Sequence, residues 1–297
     1  MGTGRPAREL GEEMSAMQAG PTVVRMVLGG RLRQLREAKG ITPADAGWAI
    51  RGSHSKINRM ETGRSGFKRR DVSDLLTLYG VHDETERRGL MMLVEKANAP
   101  GWLAEYADVL PGPAGTRLEL EQCARVIRCY DNQFVPALLQ TADYARALIR
   151  LHRPGAPPAE VERRLGLLAN RQQILRGPGP CRLWAVIDEA ALRRQPGNAA
   201  ALRRQLQKLA DITRLPHMKI QVMPFTTGVA AGGAITLLRF AEPRIADIVY
   251  LDQFAGALYL DKPADVQHYG QVMDRLCTRA EPPAITPAFL SRLIKEI

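Results

Sequence analysis

At 297 residues the chain is long enough for two domains. Its 45% apolar and 25% charged residues exclude a disordered or fibrous chain, and no run approaches the ~20 consecutive apolar residues of a membrane span. A net charge of +11 suits a polyanionic partner and says nothing about fold.

Residues 1–22 mix Gly, Ala, Met and charge without the apolar stretch of a signal peptide, and a disordered tail is expected there. The first predicted helix runs from about Val27 to Ala38. Leu28, Leu32 and Leu35 recur in it at helical spacing, and Gly40 ends it. Thr42 caps a second helix, Pro43 to about Ile50, with Pro43 where a missing N–H costs nothing. Ala44, Ala46, Gly47 and Ala49 give that helix a small face, which lets a neighbour cross closely. Arg51 and Gly52 make the turn.

The next stretch, Ser53 to Thr62, reads as a helix with two unlike faces. Ser53 is a good N-cap, and Ile57 and Met60, three apart, share the apolar side. His54, Ser55, Asn58 and Arg59 fall largely on the other. Arg offers a fork to guanine and Asn can pair with adenine, so this face suits a DNA major groove. Gly63 is where the helix stops. The basic run Lys68-Arg69-Arg70 lies in the loop before a fourth helix, Asp71 to Tyr79, which Gly80 ends. A fifth helix runs from Asp83 to about Ala97. Two short helices joined by a tight glycine-containing turn form a helix-turn-helix, and residues 23–97 read as one five-helix module. Residues 23–96 hold 15 Lys and Arg against 9 Asp and Glu, whereas the much longer 97–297 holds 25 against 19. The denser positive charge marks the first segment as the nucleic-acid-binding part.

Residues 98–297 read as an α+β domain, so the fold class is mixed, a helical module followed by α and β. Helices are expected over 118–130, 142–151, 158–176, 198–214, 264–278 and 287–297. Strands are expected over 181–187, 219–224, 234–240, 247–251 and 257–260. Enzymatic chemistry finds little support. Asp188 and Glu189 are adjacent and so point to different faces, and Asp247, Asp252 and Asp261 are scattered. The glycine-containing stretch 226–233 lacks the Lys of a phosphate loop and reads as a hairpin connection. Cys123, Cys129, Cys181 and Cys277 form no C-x-x-C pair, and His152, His217 and His268 show no metal spacing. Reduced thiols in a cytoplasmic protein, with no metal and no cofactor, are the expectation. Arg193-Arg194 and Arg203-Arg204 read as solvated helix surface, with a second nucleic-acid patch as the alternative.

The run Arg33-x-x-Arg36-x-x-x-Gly40-Ile41-Thr42, followed by Ser55-Lys56-Ile57-x-Arg59-Met60-Glu61-x-Gly63, resembles the phage-repressor, or XRE, class of helix-turn-helix domains. Further on, Trp102 to Asp108, Val135 to Arg146, Leu183 to Leu192 and Val249 to Leu251 resemble a narrower group. These are actinobacterial, antitoxin-like regulators with a C-terminal domain of unknown function. The resemblance implies a transcription regulator that binds double-stranded DNA. It also implies a small protein partner, and the alternative reading is an antitoxin-like protein whose main role is to bind that partner, with autoregulatory DNA binding; a homodimer and a small-molecule effector for the C-terminal domain are further expectations. It places His54, Ser55 and Arg59 at base edges with Asn58 nearby, and Ser53 and Lys56 against phosphates. Arg64, Lys68, Arg69 and Arg70 are further phosphate candidates, and Arg36 and Glu61 are implied to form a structural salt bridge. Two departures stand out. Pro43 replaces a Gln that contacts phosphate, and the turn glycine comes one place late, with Arg51 in its usual position. A re-aimed turn is the expected consequence.

Overall fold

A computed structural model describes residues 21–110, 112–177, 179–227, 232–241, 245–253 and 256–297. Among these, residues 21–105 with Ile245 form one compact unit and the remainder a second. The expected disordered tail lies outside the described residues except at Pro21 and Thr22, which are helical.

The first unit has five helices: α1 (Pro21–Ala38), α2 (Pro43–Ala49), α3 (His54–Glu61), α4 (Arg69–Leu78) and α5 (Glu84–Ala97). Helix α1 starts six residues before its expected origin, because Thr22 and Val24 are themselves buried and extend the apolar stripe backwards. Helix α4 starts two residues early, so Arg69 and Arg70 occupy its first turn and only Lys68 remains outside, at the N-cap. Asp71 in that turn favours the start, since a carboxylate offsets the positive helix end. Leu28 and Leu32 of α1, Ile57 and Met60 of α3, Leu75 and Leu76 of α4, and Leu90 and Val94 of α5 form one core. Each such side chain contributes about 1.5–3 kcal/mol by leaving water.

Four helix ends in this unit share one hydrogen-bond pattern. At α1, Gly40 N–H donates to Glu37 O and Ile41 N–H to Arg36 O. Gly63 and Arg64 end α3 in the same way, and Gly80 and Val81 end α4. The three glycines have φ of 65°, 69° and 74°, the left-handed cap that a Cβ disfavours. At α2 the same two bonds run from Arg51 to Trp48 O and from Gly52 to Gly47 O. Here Arg51 itself takes φ of 53°. The backbone there keeps the cap geometry of the three glycine-ended helices, and an arginine bears the strain.

The second unit is built on a six-stranded sheet: β1 (Ala124–Asp131), β2 (Arg182–Asp188), β3 (Met218–Met223), β4 (Ile235–Phe240), β5 (Ile248–Gln253) and β6 (Gly256–Leu260). Their order is β3-β2-β1-β4-β5-β6. Strands β1, β2 and β3 are parallel, and β4, β5 and β6 continue antiparallel from β1. The parallel half needs crossovers, which α7 (Ala142–His152) and α8 (Pro158–Arg171) supply before β2, and α9 (Glu189–Arg193) and α10 (Ala199–Ile212) before β3. Helix α6 (Gly112–Cys123) precedes β1, and α11 (Pro263–Arg279) and α12 (Thr286–Glu296) close the chain. The helix expected over 118–130 is not continuous: α6 stops at Cys123 and a strand begins at once. Strand β1 lies between β2 and β4 and has buried residues on both faces, so it carries no strict alternation to betray it.

Successive residues of β1 face opposite layers. Tyr130 packs towards Met273 and Leu276 of α11, and Arg128 Nη2 donates to Asp274 Oδ1 there at 2.7 Å. Ile127, Cys129 and Asp131 face Arg117 and Glu121 of α6. Trp184 is half-buried on β2. Its Nε1–H donates to Gln221 Oε1 at 2.7 Å, and Arg128 and Lys219 lie over its ring. Gln221 in turn donates to Cys277 O and Glu281 O, which ties β3 to the end of α11.

Candidate nucleic-acid interface

Helix α3 is held from below and from both ends. The Ser53 hydroxyl accepts from Lys56 N–H at 3.3 Å, which satisfies an otherwise unpaired donor at the start. At the far end the Thr62 hydroxyl donates to Asn58 O at 2.8 Å. Beneath, Ile57 and Met60 are buried in the core. Two glycines allow backbone to approach backbone. A Cβ on Gly47 of α2 would lie 2.8 Å from the Ser53 carbonyl carbon, and one on Gly29 of α1 would lie 2.3 Å from Met60 O. The small face of α2 was legible as a crossing point, and Gly47 is the residue that uses it.

Arg36 and Glu61 lock the same end of α3 to α1. The guanidinium donates from Nε to Oε1 at 2.6 Å and from Nη2 to Oε2 at 2.9 Å, with both side chains less than a tenth exposed. Nη1 donates to Ile41 O at 2.8 Å. The hydrogen bond that the guanidinium donates to Glu61 holds the Arg36 pKa above its ordinary value. Burial, with the Glu61 carboxylate adding to it, pushes the Tyr79 hydroxyl up as well.

With that underside fixed, α3 turns His54, Asn58 and Arg59 outward, with Ser55 half-exposed beside them. The Ser55 hydroxyl lies 3.4 Å from His54 Nε2, so these two meet each other as well as solvent. Ser53 is exposed at the N-cap. The six phosphate candidates divide. Lys56 Nζ bonds the carboxylate of Asp71 on α4 and is only part-exposed, and Arg69 bonds Glu95 of α5. Each would have to exchange a carboxylate for a phosphate. Arg70 sits a loose 3.8 Å from Asp74, with both side chains exposed. Arg64 and Lys68 are exposed on either side of the loop after α3. Arg59 and Lys68 make no ion pair among the described residues. The α3–α4 pairing was invisible in sequence, because Lys56 and Asp71 are fifteen residues apart with a loop between. Trp48 was passed over: it stands 86% exposed on α2, and its position among small residues was the available signal.

Asp188, Glu189, Asp247 and Asp252 are each taken up by different partners. Asp188 caps α9 by accepting from Ala190 N–H and also accepts from the Tyr130 hydroxyl. Glu189 accepts from Arg193 and from Phe225 N–H. Asp247 pairs with Arg239 at 2.9 Å, and Asp252 with Arg117 at 2.8 Å. His152 and His217 each lie against a backbone carbonyl, of Leu148 and Leu175. Residues 228–231 of the glycine-containing stretch lie outside the described residues. Between α6 and the sheet is a cavity of about 30 Å³ lined by Arg117, Glu121, Cys129, Asp131 and Thr236 among others. That is room for a water or two, not a metabolite. Glu121 is taken up by a two-pronged bond from Arg171 at 2.9 Å. Burial, with the Asp252 carboxylate nearby and Arg117 opposing, pushes the Asp131 carboxyl up to about 7.

Residues 27–90 match a family model described as a helix-turn-helix domain. Residues 115–292, more than half of the chain, match the domain of unknown function DUF5753. The chain belongs to the DUF5753 family. No curated protein and no solved structure matches it. The helix-turn-helix match covers most of α1, all of α2 to α4 and the first half of α5, so the face carrying Asn58 and Arg59 belongs to a DNA-binding type of domain, as found in transcription regulators. No described helix is long and apolar enough to cross a membrane.

Proposed function

We propose that this DUF5753 protein is a sequence-specific, DNA-binding transcription regulator of the XRE class, with α3 docked in the major groove. The observation that carries the reading is the division of α3: Ile57, Met60 and Glu61 are buried, while His54, Asn58 and Arg59 are left to solvent. In this reading His54, Ser55, Asn58 and Arg59 read base edges. Ser53, Arg64, Lys68 and Arg70 contact phosphates and set register, and Lys56 and Arg69 join them on release from their carboxylates. A homodimer would set two α3 helices on half-sites about 34–36 Å apart. The C-terminal unit supplies dimerisation or binds a partner protein or effector, as the resemblance to actinobacterial antitoxin-like regulators implies. It has no catalytic role in this proposal, which fits the use of Asp188 and Glu189 as a cap and an ion-pair partner.

The test is selection of duplexes from a random pool by the purified full chain, with footprinting of the winners. One or two protected half-sites with a common sequence are expected. Failure to prefer any duplex over random competitor at moderate salt would end the regulator reading.

A further inference from the structure

The second unit has a groove between α7 and α10 of about 460 Å³. That lies within the ~300–1,000 Å³ typical of small-ligand sites. Arg146 and Arg150, one turn apart on the same side of α7, line it with Arg204 of α10. Arg204 lies more than fifty residues from Arg146 and Arg150 in sequence, and neither Arg203-Arg204 nor the α7 stretch announced the meeting.

Carboxylates hold two of the three guanidiniums in place. Asp143 takes Arg204 at 2.7 Å and lies 3.5 Å from Arg146. Glu162 of α8 accepts from Nε and Nη2 of Arg146, the latter at 2.9 Å. Arg150 is exposed and makes no hydrogen bond or ion pair among the described residues. The groove wall depends on a close approach: a Cβ on Gly197 would lie 2.9 Å from Ala147 Cβ. Beside the arginines are apolar surfaces, including Leu151, which is 55% exposed. Guanidinium forks fixed by their own partners, with one left over, suit a planar or tetrahedral oxyanion, and the apolar part suits an organic body.

We propose that this groove binds a small organic molecule carrying a diphosphate or an equivalent cluster of phosphate groups. Arg150 reaches the phosphates directly, and Arg204 reaches them by exchanging Asp143, which also lines the groove, for a phosphate; Glu162 orients Arg146 from outside the lining. The proposal does not depend on DNA binding by the first unit.

The experiment is titration calorimetry of the full chain with inorganic pyrophosphate, against sodium chloride of matched ionic strength. The doubly substituted Arg150→Ala/Arg204→Ala chain and an Arg203→Ala control are measured in parallel. All three substitutions are at exposed positions, and thermal unfolding without ligand verifies that each chain folds. Binding weakened at least about tenfold in the double variant and unchanged in the control is expected, the loss of charge-assisted hydrogen bonds setting the scale. Equal binding by the wild type and the double variant overturns the proposal, as does no binding beyond the salt control. A second arm measures the salt dependence of random-duplex binding, which the double variant should leave unaltered. A slope reduced by about two would reassign these arginines to the DNA backbone.

Discussion

In the first unit Arg59 and Lys68 stand free of carboxylates in solvent, and the deeply buried charge among the described residues is the Arg36–Glu61 pair. In the second unit Arg117, Arg171, Glu121 and Asp131 line the space between α6 and the sheet, where Arg171 pairs with Glu121 and Arg117 with Asp252. An arginine left outside can neutralise a partner's phosphate and release its counterions. One turned inward is consumed by the carboxylate it must offset, and its removal strands that carboxylate in low dielectric. On the proposed function, the same residue types serve recognition in one unit and internal cohesion in the other. Substitutions should separate the two uses.

The largest effect is expected where the first unit behaves like the second. Arg36→Ala leaves Glu61 buried without its partner and should cost about 3–5 kcal/mol, read as a lowered urea midpoint for the first unit. A loss below 1 kcal/mol would mean that water reaches Glu61. Arg59→Ala should do the reverse. Stability should stay within about 0.5 kcal/mol, while binding to the selected duplex falls by about 1–3 kcal/mol with relaxed preference at one base pair. An equal loss on all duplexes would make Arg59 a backbone contact.

Asp131 sharpens the contrast through pH. The folded chain keeps a proton that the unfolded chain releases above its ordinary 3.8, because the folded carboxyl is raised to about 7. The second unit should therefore lose stability as pH rises from the first value to the second, and level off beyond. The slope is at most about 1.4 kcal/mol per pH unit, the value for one proton. Asp131→Asn should flatten it, as measured by denaturation from pH 4 to 8. A slope unchanged by the substitution would place the titrating group elsewhere. The smallest effect concerns the turn rather than charge. Arg51→Gly relieves a left-handed arginine and should stabilise the first unit by about 1 kcal/mol, seen as a higher melting temperature.

The first unit was the more legible in sequence because its punctuation is local. Gly40, Gly63 and Gly80 mark three helix ends, and Thr42 and Ser53 mark two starts, each by chemistry within a few residues. The helical spacing of Ile57 and Met60 gave the orientation of α3 directly. What escaped was long-range: the Lys56–Asp71 and Arg69–Glu95 pairs, and the contact of Gly29 with the end of α3. In the second unit β1 was hidden because a strand buried on both faces loses the two-residue rhythm that identifies strands. The groove arginines were hidden because α7 and α10 meet only through the fold.

If α3 docks in DNA as proposed, Gly29 sets a mechanical condition on reading it. With hydrogen alone separating α1 from the carbonyls of Met60 and Glu61, and the Arg36 fork clamped alongside, α3 has little room to rock independently. A tilt imposed on Asn58 and Arg59 would carry the first helix with it, so adaptation to a distorted site would fall to the DNA.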